Sequence, residues 1–154
     1  MIGNAMPRLI LLVALALSAA GAAEGERLRV SGAWVSPTVP GQAVGAAYMQ
    51  LRSEHDATLL KIECDVSSTA EIHQMTMVND VMRMRRLDKV ALPAGQAVPF
   101  SPGGRHVMLV DLRHPLNVGD TVKLTLTLRL KDGRTVRETV VAPVARMAKH
   151  EGHP

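Results

Sequence analysis

The chain is short of the residues that most often carry chemistry or staple small folds. Cys64 is the single cysteine among 154 residues, so no internal disulfide can form and no pair of thiolates can share a metal. Trp34, Tyr48 and Phe100 are the only aromatics. A core must therefore come from Val, Leu, Ile, Ala and Met, and there is almost no ring surface on which bases would stack. The formal charge of +4 is modest, and the basic side chains are scattered rather than clustered. That distribution gives solubility and a mild pull toward an acidic partner or membrane face, not a nucleic-acid footprint. No phosphate-binding glycine loop, no nucleophile beside a base and no carboxylate pair is visible, which makes an enzyme the least favoured class. The main apolar run, Leu9 to Leu17, falls short of the roughly 20 residues that a membrane-crossing helix needs.

That run has another meaning. Arg8 supplies a short positive region before it, and Ala20-Gly21-Ala22 after it fits a small-residue cleavage pattern. Residues 1–23 are expected to be a cleaved signal peptide, with no cysteine at the cleavage point to carry a lipid. The mature protein is then periplasmic, a β domain over 24–145 followed by a flexible tail over 146–154.

Within the domain the hydrophobic period is two. Strands are expected at 28–35, 43–51, 58–64, 70–78, 81–87, 105–112, 121–130 and 135–144, about eight or nine in all. The cleanest is TVKLTLTLRL, where Val122, Leu124, Leu126, Leu128 and Leu130 alternate with polar residues. Pro37 to Gly41, Asp65 to Thr69, Pro93 to Gly95, Ser101 to Gly104 and Asn117 to Asp120 are expected to be turns or polar connections. With no amphipathic helix, the class is all-β, a single β-sandwich or barrel with short loops.

Five of the nine methionines, Met75, Met77, Met82, Met84 and Met108, lie between His73 and Met108. His73, Met75 and Met77 share a face of one predicted strand, and His106 and Met108 share a face of another. Asn79-Asp80 is expected to be a two-residue hairpin turn. Val78 then faces Val81, Met77 faces Met82, Met75 faces Met84, and His73 and Met84 are diagonal neighbours. A slip of one residue would scatter these groups to opposite faces. Thioethers and imidazoles together are the donors of a soft ion, Cu(I) first. Outside the cytosol thiolates oxidise, whereas thioethers cannot cross-link. An exported protein that handles Cu(I) is thus expected to use Met and His in place of Cys. The plainer reading of a methionine is core filling. It wins for Met49, flanked by Ala46, Ala47 and Tyr48, and is weaker for the four on the hairpin beside Arg83, Arg85 and Arg86. Cys64 reads as a small buried hydrophobe in a strand, and His55 and His114 as surface residues.

The spacing His73-x10-Met84-x21-His106-x-Met108 matches the copper-binding signature of the periplasmic CuA chaperone family, PCu(A)C. The flanking text AWVSPTVPGQAVGAAYMQL and SPGGRHVMLVDLRHPLNVGDTVKLTL also resembles that family, and the likeness spans residues 27–145. The resemblance implies a cupredoxin-like β-sandwich or barrel that binds Cu(I) at an exposed site on His73, Met84, His106 and Met108, with Met75 as an auxiliary or exchangeable donor. It implies a carrier that acts as a monomer and supplies copper to the CuA site of cytochrome c oxidase subunit II or another copper-receiving assembly protein. Contact with the membrane is then only through that membrane-bound partner. Met147, His150 and His153 in the tail are expected to offer at most a second, weaker site for Cu(II). Two other classes stay open at this level: a periplasmic copper buffer without a dedicated recipient, and a metal-free β scaffold whose methionines are core.

Overall fold

In the computed structural model the described residues are 28–147, and they contain strands and turns but no helix. The expected signal peptide, His150 and His153 lie outside the described residues. No helix among the described residues is long and apolar enough to cross a membrane.

Ten strands follow in order: β1 (Leu28–Val35), β2 (Val44–Ser53), β3 (Ala57–Cys64), β4 (Ser67–Val78), β5 (Val81–Leu87), β6 (Val90–Leu92), β7 (Ala97–Phe100), β8 (Arg105–Leu112), β9 (Thr121–Leu130) and β10 (Thr135–Pro143). They form one antiparallel sheet with the order β1-β2-β8-β4-β3-β9-β10, to which β5 adds on β4, β6 on β3 and β7 on β2. The sheet curls until Val35, at the end of β1, meets Val144, just past β10, in a parallel bridge. Ala145 N–H donates to the Val35 carbonyl there at 3.0 Å. The result is a nearly closed barrel.

Alternation decides which side of each strand turns inward. In β9, Val122, Leu124, Leu126 and Leu128 are buried while residues between them face outward. In β8, Val107 and Leu109 are fully buried, so His106 and Met108 must lie on the outer face. Leu51, Leu59, Leu92 and Leu116 complete the middle of the core, and Met49 joins it at 2% exposure, as its apolar neighbours imply. Each such side chain contributes roughly 1.5–3 kcal/mol on leaving water.

Three details depart from the sequence reading. The turns at 93–95 and 101–104 are present, but two strands that the sequence did not show accompany them: β6 before the first and β7 between the two, of three and four residues, too short to show a period. Pro99 sits inside β7 opposite Gln50, on a strand whose ladder is with β2. Asp65 to Thr69 is not all connection either. β4 begins at Ser67, which is 3% exposed and donates its hydroxyl to the Thr69 carbonyl at 3.1 Å. Cys64 is in β3 but only half-buried, at the end of the strand where the sheet turns into β4.

Candidate metal centre

The hairpin register follows from its turn. Asn79 and Asp80 have φ of 49° and 61°, the left-handed pair that a two-residue turn with the twist of its strands requires. Val78 therefore pairs with Val81, Met77 with Met82, Met75 with Met84 and His73 with Arg86, as the turn chemistry predicts. On its other side β4 pairs directly with β8, so that His73 faces His106 and Glu71 faces Met108. The two halves of the constellation are thus adjacent strands, not pieces joined only by the intervening residues.

Rung geometry can be taken one step further. Met75 N–H donates to the Gly104 carbonyl at 3.1 Å, toward the β8 side. In an antiparallel sheet a residue's N–H and C=O point to the same neighbour. Toward β5, then, Met75–Met84 is a non-hydrogen-bonded rung, the narrow kind with Cα atoms about 4.5 Å apart. By parity Met77–Met82 and His73–Arg86 are narrow too. Toward β8, His73–His106 is a wide rung of about 5.5 Å. The two imidazoles stack across it, with ring centroids 6.0 Å apart and 24° between planes.

Each histidine has one nitrogen tied to the protein. His73 Nε2 lies 2.8 Å from a Glu71 carboxylate oxygen, and His106 Nδ1 is 3.3 Å from the Gly104 carbonyl. The proton that each of these bonds needs fixes the tautomer and leaves a lone pair on the second nitrogen. For His73 that nitrogen is Nδ1, which is enclosed and has no hydrogen-bond partner. An imidazole held on one side by a carboxylate or carbonyl, with its other nitrogen left unbonded by the protein, is how metal-ligating histidines are usually oriented. Glu71 also meets Arg86 at 3.4 Å. The bond from His73, reinforced by the Arg86 charge, holds the Glu71 carboxyl below its ordinary range against the desolvation that opposes it.

One outer face therefore carries Met84 on β5, Glu71, His73 and Met75 on β4, and His106 and Met108 on β8. Met108 is paired with Ala46 of β2, whose small side chain leaves a shallow depression of about 310 Å³ beside His106 and Met108, edged by Gln42 and Val44. The His73 side chain is only 12% exposed, whereas Met84 is 50% exposed. The face thus grades from a sheltered imidazole pair to an open thioether. Among the described residues, no group of three or more His, Cys, Asp or Glu side chains is placed to hold an ion. The side chains that accompany the two imidazoles on this face are chiefly thioethers.

Other candidates stand apart. Cys64 is on β3, and burial pushes its thiol pKa up, which disfavours a thiolate ligand. His55 and His114 are exposed, in the bends that follow β2 and β8. Met147 is 63% exposed beyond β10. Glu71 is the residue that sequence reasoning missed. It stands two positions before His73, and the same period of two that aligned His73 with Met75 would have found it.

Comparison with known proteins gives four matches of use. The family model described as LpqE-like, a lipoprotein family, matches residues 28–144. A protein of Leifsonia xyli subsp. xyli named as a lipoprotein, Lxx21020, is 30% identical over 124 residues, covering 79% of this chain and 71% of its own. Among solved structures, the apo PCuAC domain from PmoF1 has a TM-score of 0.59 at 22% identity, covering 77% of this chain and 92% of that one, a likeness of fold. The solution structure of CuI-DR1885 from Deinococcus radiodurans has a TM-score of 0.52 at 30% identity and covers 82% of each chain.

Proposed function

The chain belongs to the LpqE-like family, and from that premise we propose that it is a periplasmic Cu(I) metallochaperone. His73, Met84, His106 and Met108 are the proposed ligands, with Met75 as an exchangeable donor opposite Met84. Residues 1–23 are the proposed export signal. The recipient is the CuA site of cytochrome c oxidase subunit II or another copper-receiving assembly protein.

The observation that carries this reading is the sharing of one outer face by two pre-oriented imidazoles and the thioethers on either side of them. Copper bound to a relative of 30% identity, DR1885, supports it. Copper is cargo here, and the donor set fits that role. Thioethers and neutral imidazoles add no charge, so the site carries only the ion's own positive charge. Enclosing that charge would be costly, and an outer face avoids the cost. The His73 and His106 nitrogens supply a sheltered pair of donors, while the half-exposed Met84 thioether is the one that a recipient's ligand can displace first. On this chain the donors then leave as neutral groups, one at a time, and any proton released by an incoming thiol comes from the recipient.

A competition titration against a chromogenic Cu(I) chelator tests the ligand set. One equivalent should be held tightly, and Met84→Leu or His106→Ala should weaken it by at least tenfold with circular dichroism unchanged. Unchanged affinity in both variants would sink the assignment. Truncation after Val144 should leave that first equivalent in place, since the tail is proposed only as a weak Cu(II) site. A deletion strain separates delivery from buffering: loss of oxidase activity at limiting copper marks delivery, and sensitivity only at excess copper marks buffering.

A further inference from the structure

Met77 and Met82 are not explained by packing or by the four-ligand centre. They are 62% and 50% exposed, and they face one another near the tip of the β4–β5 hairpin. β8 reaches along β4 only to the Gln74–Arg105 pair, so beyond it the hairpin has no further strand beside it. Large apolar side chains left in water on both strands of a projecting ribbon bring no core stability.

Their geometry suits a ligand. By the parity established from Met75, Met77–Met82 is a narrow rung, and its side chains emerge from Cα atoms about 4.5 Å apart on the same face. Two unbranched thioethers so placed can close on one ion from opposite strands, and a soft monovalent ion is satisfied by few donors. The next rung inward on that face is Met75–Met84, two residues and roughly 6.8 Å away. The next rung outward, Val78–Val81, points to the other face, so the thioether series ends at Met77 and Met82.

The charges are also arranged for a cation. Arg83 and Arg85 pair with Thr76 and Gln74, which puts them on the opposite face of the hairpin. Arg86 shares the methionine face but is held by Glu71. Asp80 in the turn is the charge nearest the tip in the chain.

We propose that Met77 and Met82 form a second, weaker soft-cation site at the hairpin tip, through which Cu(I) reaches and leaves the inner ligands. The route rests on the inner centre proposed above, but the tip site can be tested separately. Protein labelled with 13C at the methionine methyls would be titrated with Ag(I), a closed-shell probe for Cu(I). The first equivalent should shift the Met84 and Met108 methyls, and further Ag(I) should then shift Met77 and Met82 together. In the Met77→Leu/Met82→Leu double variant the second step should vanish while the first stays. Both side chains are exposed and leucine is close in volume, so the fold should be kept, as circular dichroism would verify. Stopped-flow transfer of Cu(I) from that variant to an external chelator should slow several-fold at unchanged inner-site affinity. Unmoved Met77 and Met82 methyls, or transfer at the wild-type rate, overturns the proposal. Unmoved Met84 and Met108 methyls at the first equivalent overturns the inner centre and the route with it, whatever happens at the tip.

Discussion

Replacing Glu71 tests whether the centre depends on how its imidazoles are held as well as on which donors are present. In the wild type the Glu71 carboxylate lies 2.8 Å from His73 Nε2 and leaves Nδ1 without a hydrogen-bond partner, the nitrogen proposed to bind the ion. Glu71→Ala removes that partner. The ring can then rotate and populate both tautomers, and part of the population presents the wrong nitrogen. Loss of such an outer partner typically lowers metal affinity by about 10- to 100-fold. Little else should change. Arg86 loses its partner, but its side chain is 62% exposed and solvent replaces the interaction. Glu71→Gln keeps an acceptor oxygen at the same reach without the charge, so its loss should be under about tenfold. The assay is chelator competition for Cu(I), with Met84→Leu alongside as a ligand-loss reference. Long-range 1H–15N spectra give an independent reading: His73 should be a single Nε2–H tautomer in the wild type and a mixture in Glu71→Ala. Wild-type Cu(I) affinity in Glu71→Ala would refute the reasoning, because the carboxylate would then be a bystander.

Three further outcomes follow from the same geometry. Asp80→Val places a β-branched residue at φ 61°, which should cost about 1–2 kcal/mol in the hairpin; a lower Tm with weaker Cu(I) binding would show that the turn sets the methionine register. Leu109→Ala empties a fully buried position next to the outward-facing Met108 and should cost about 2–5 kcal/mol in urea unfolding. Cys64 gives an alkaline signature. Burial raises its thiol pKa, so above the ordinary thiol range the folded state holds a proton that the unfolded chain has lost. Stability present below that range should fall as pH rises from about 8.5 toward the folded pKa. Cys64→Ser should flatten the decline without altering Cu(I) stoichiometry, and an identical slope in both proteins would refute the assignment.

How much of this could be read from the chain itself depends on the range of the interaction. β9 was legible because ten residues of strict alternation leave no other period. The β4–β5 register was legible because Asn79 and Asp80 fix it locally. β6 and β7 were not, since three or four residues carry too little period and Pro99 argues against a strand unless its edge position is known. The start of β4 was hidden by Ser67, Ser68 and Thr69, which read as a connection although Ser67 is buried with its hydroxyl bonded locally. Least accessible was the direct pairing of β4 with β8, which joins His73 to His106 across 33 residues of chain. Only spacing on the sequence hinted at it, and spacing does not reveal whether strands touch.

That pairing also explains why the fold and the centre are hard to separate. Val107 and Leu109 are driven inward by the hydrophobic effect, and the pleat then leaves His106 and Met108 no choice but the outer face. Ile72 does the same for His73 on β4. The proposed donors are therefore placed by core residues of the opposite face, on strands and not on a loop. Openness is obtained differently, from the hairpin outrunning its neighbour β8, which leaves Met84, Met82 and Met77 each at least half exposed. A carrier needs both properties at once, donors that wait in place and an edge that a recipient can approach. In this sheet the buried faces of β4 and β8 supply the first, and the overhang of β4 and β5 supplies the second.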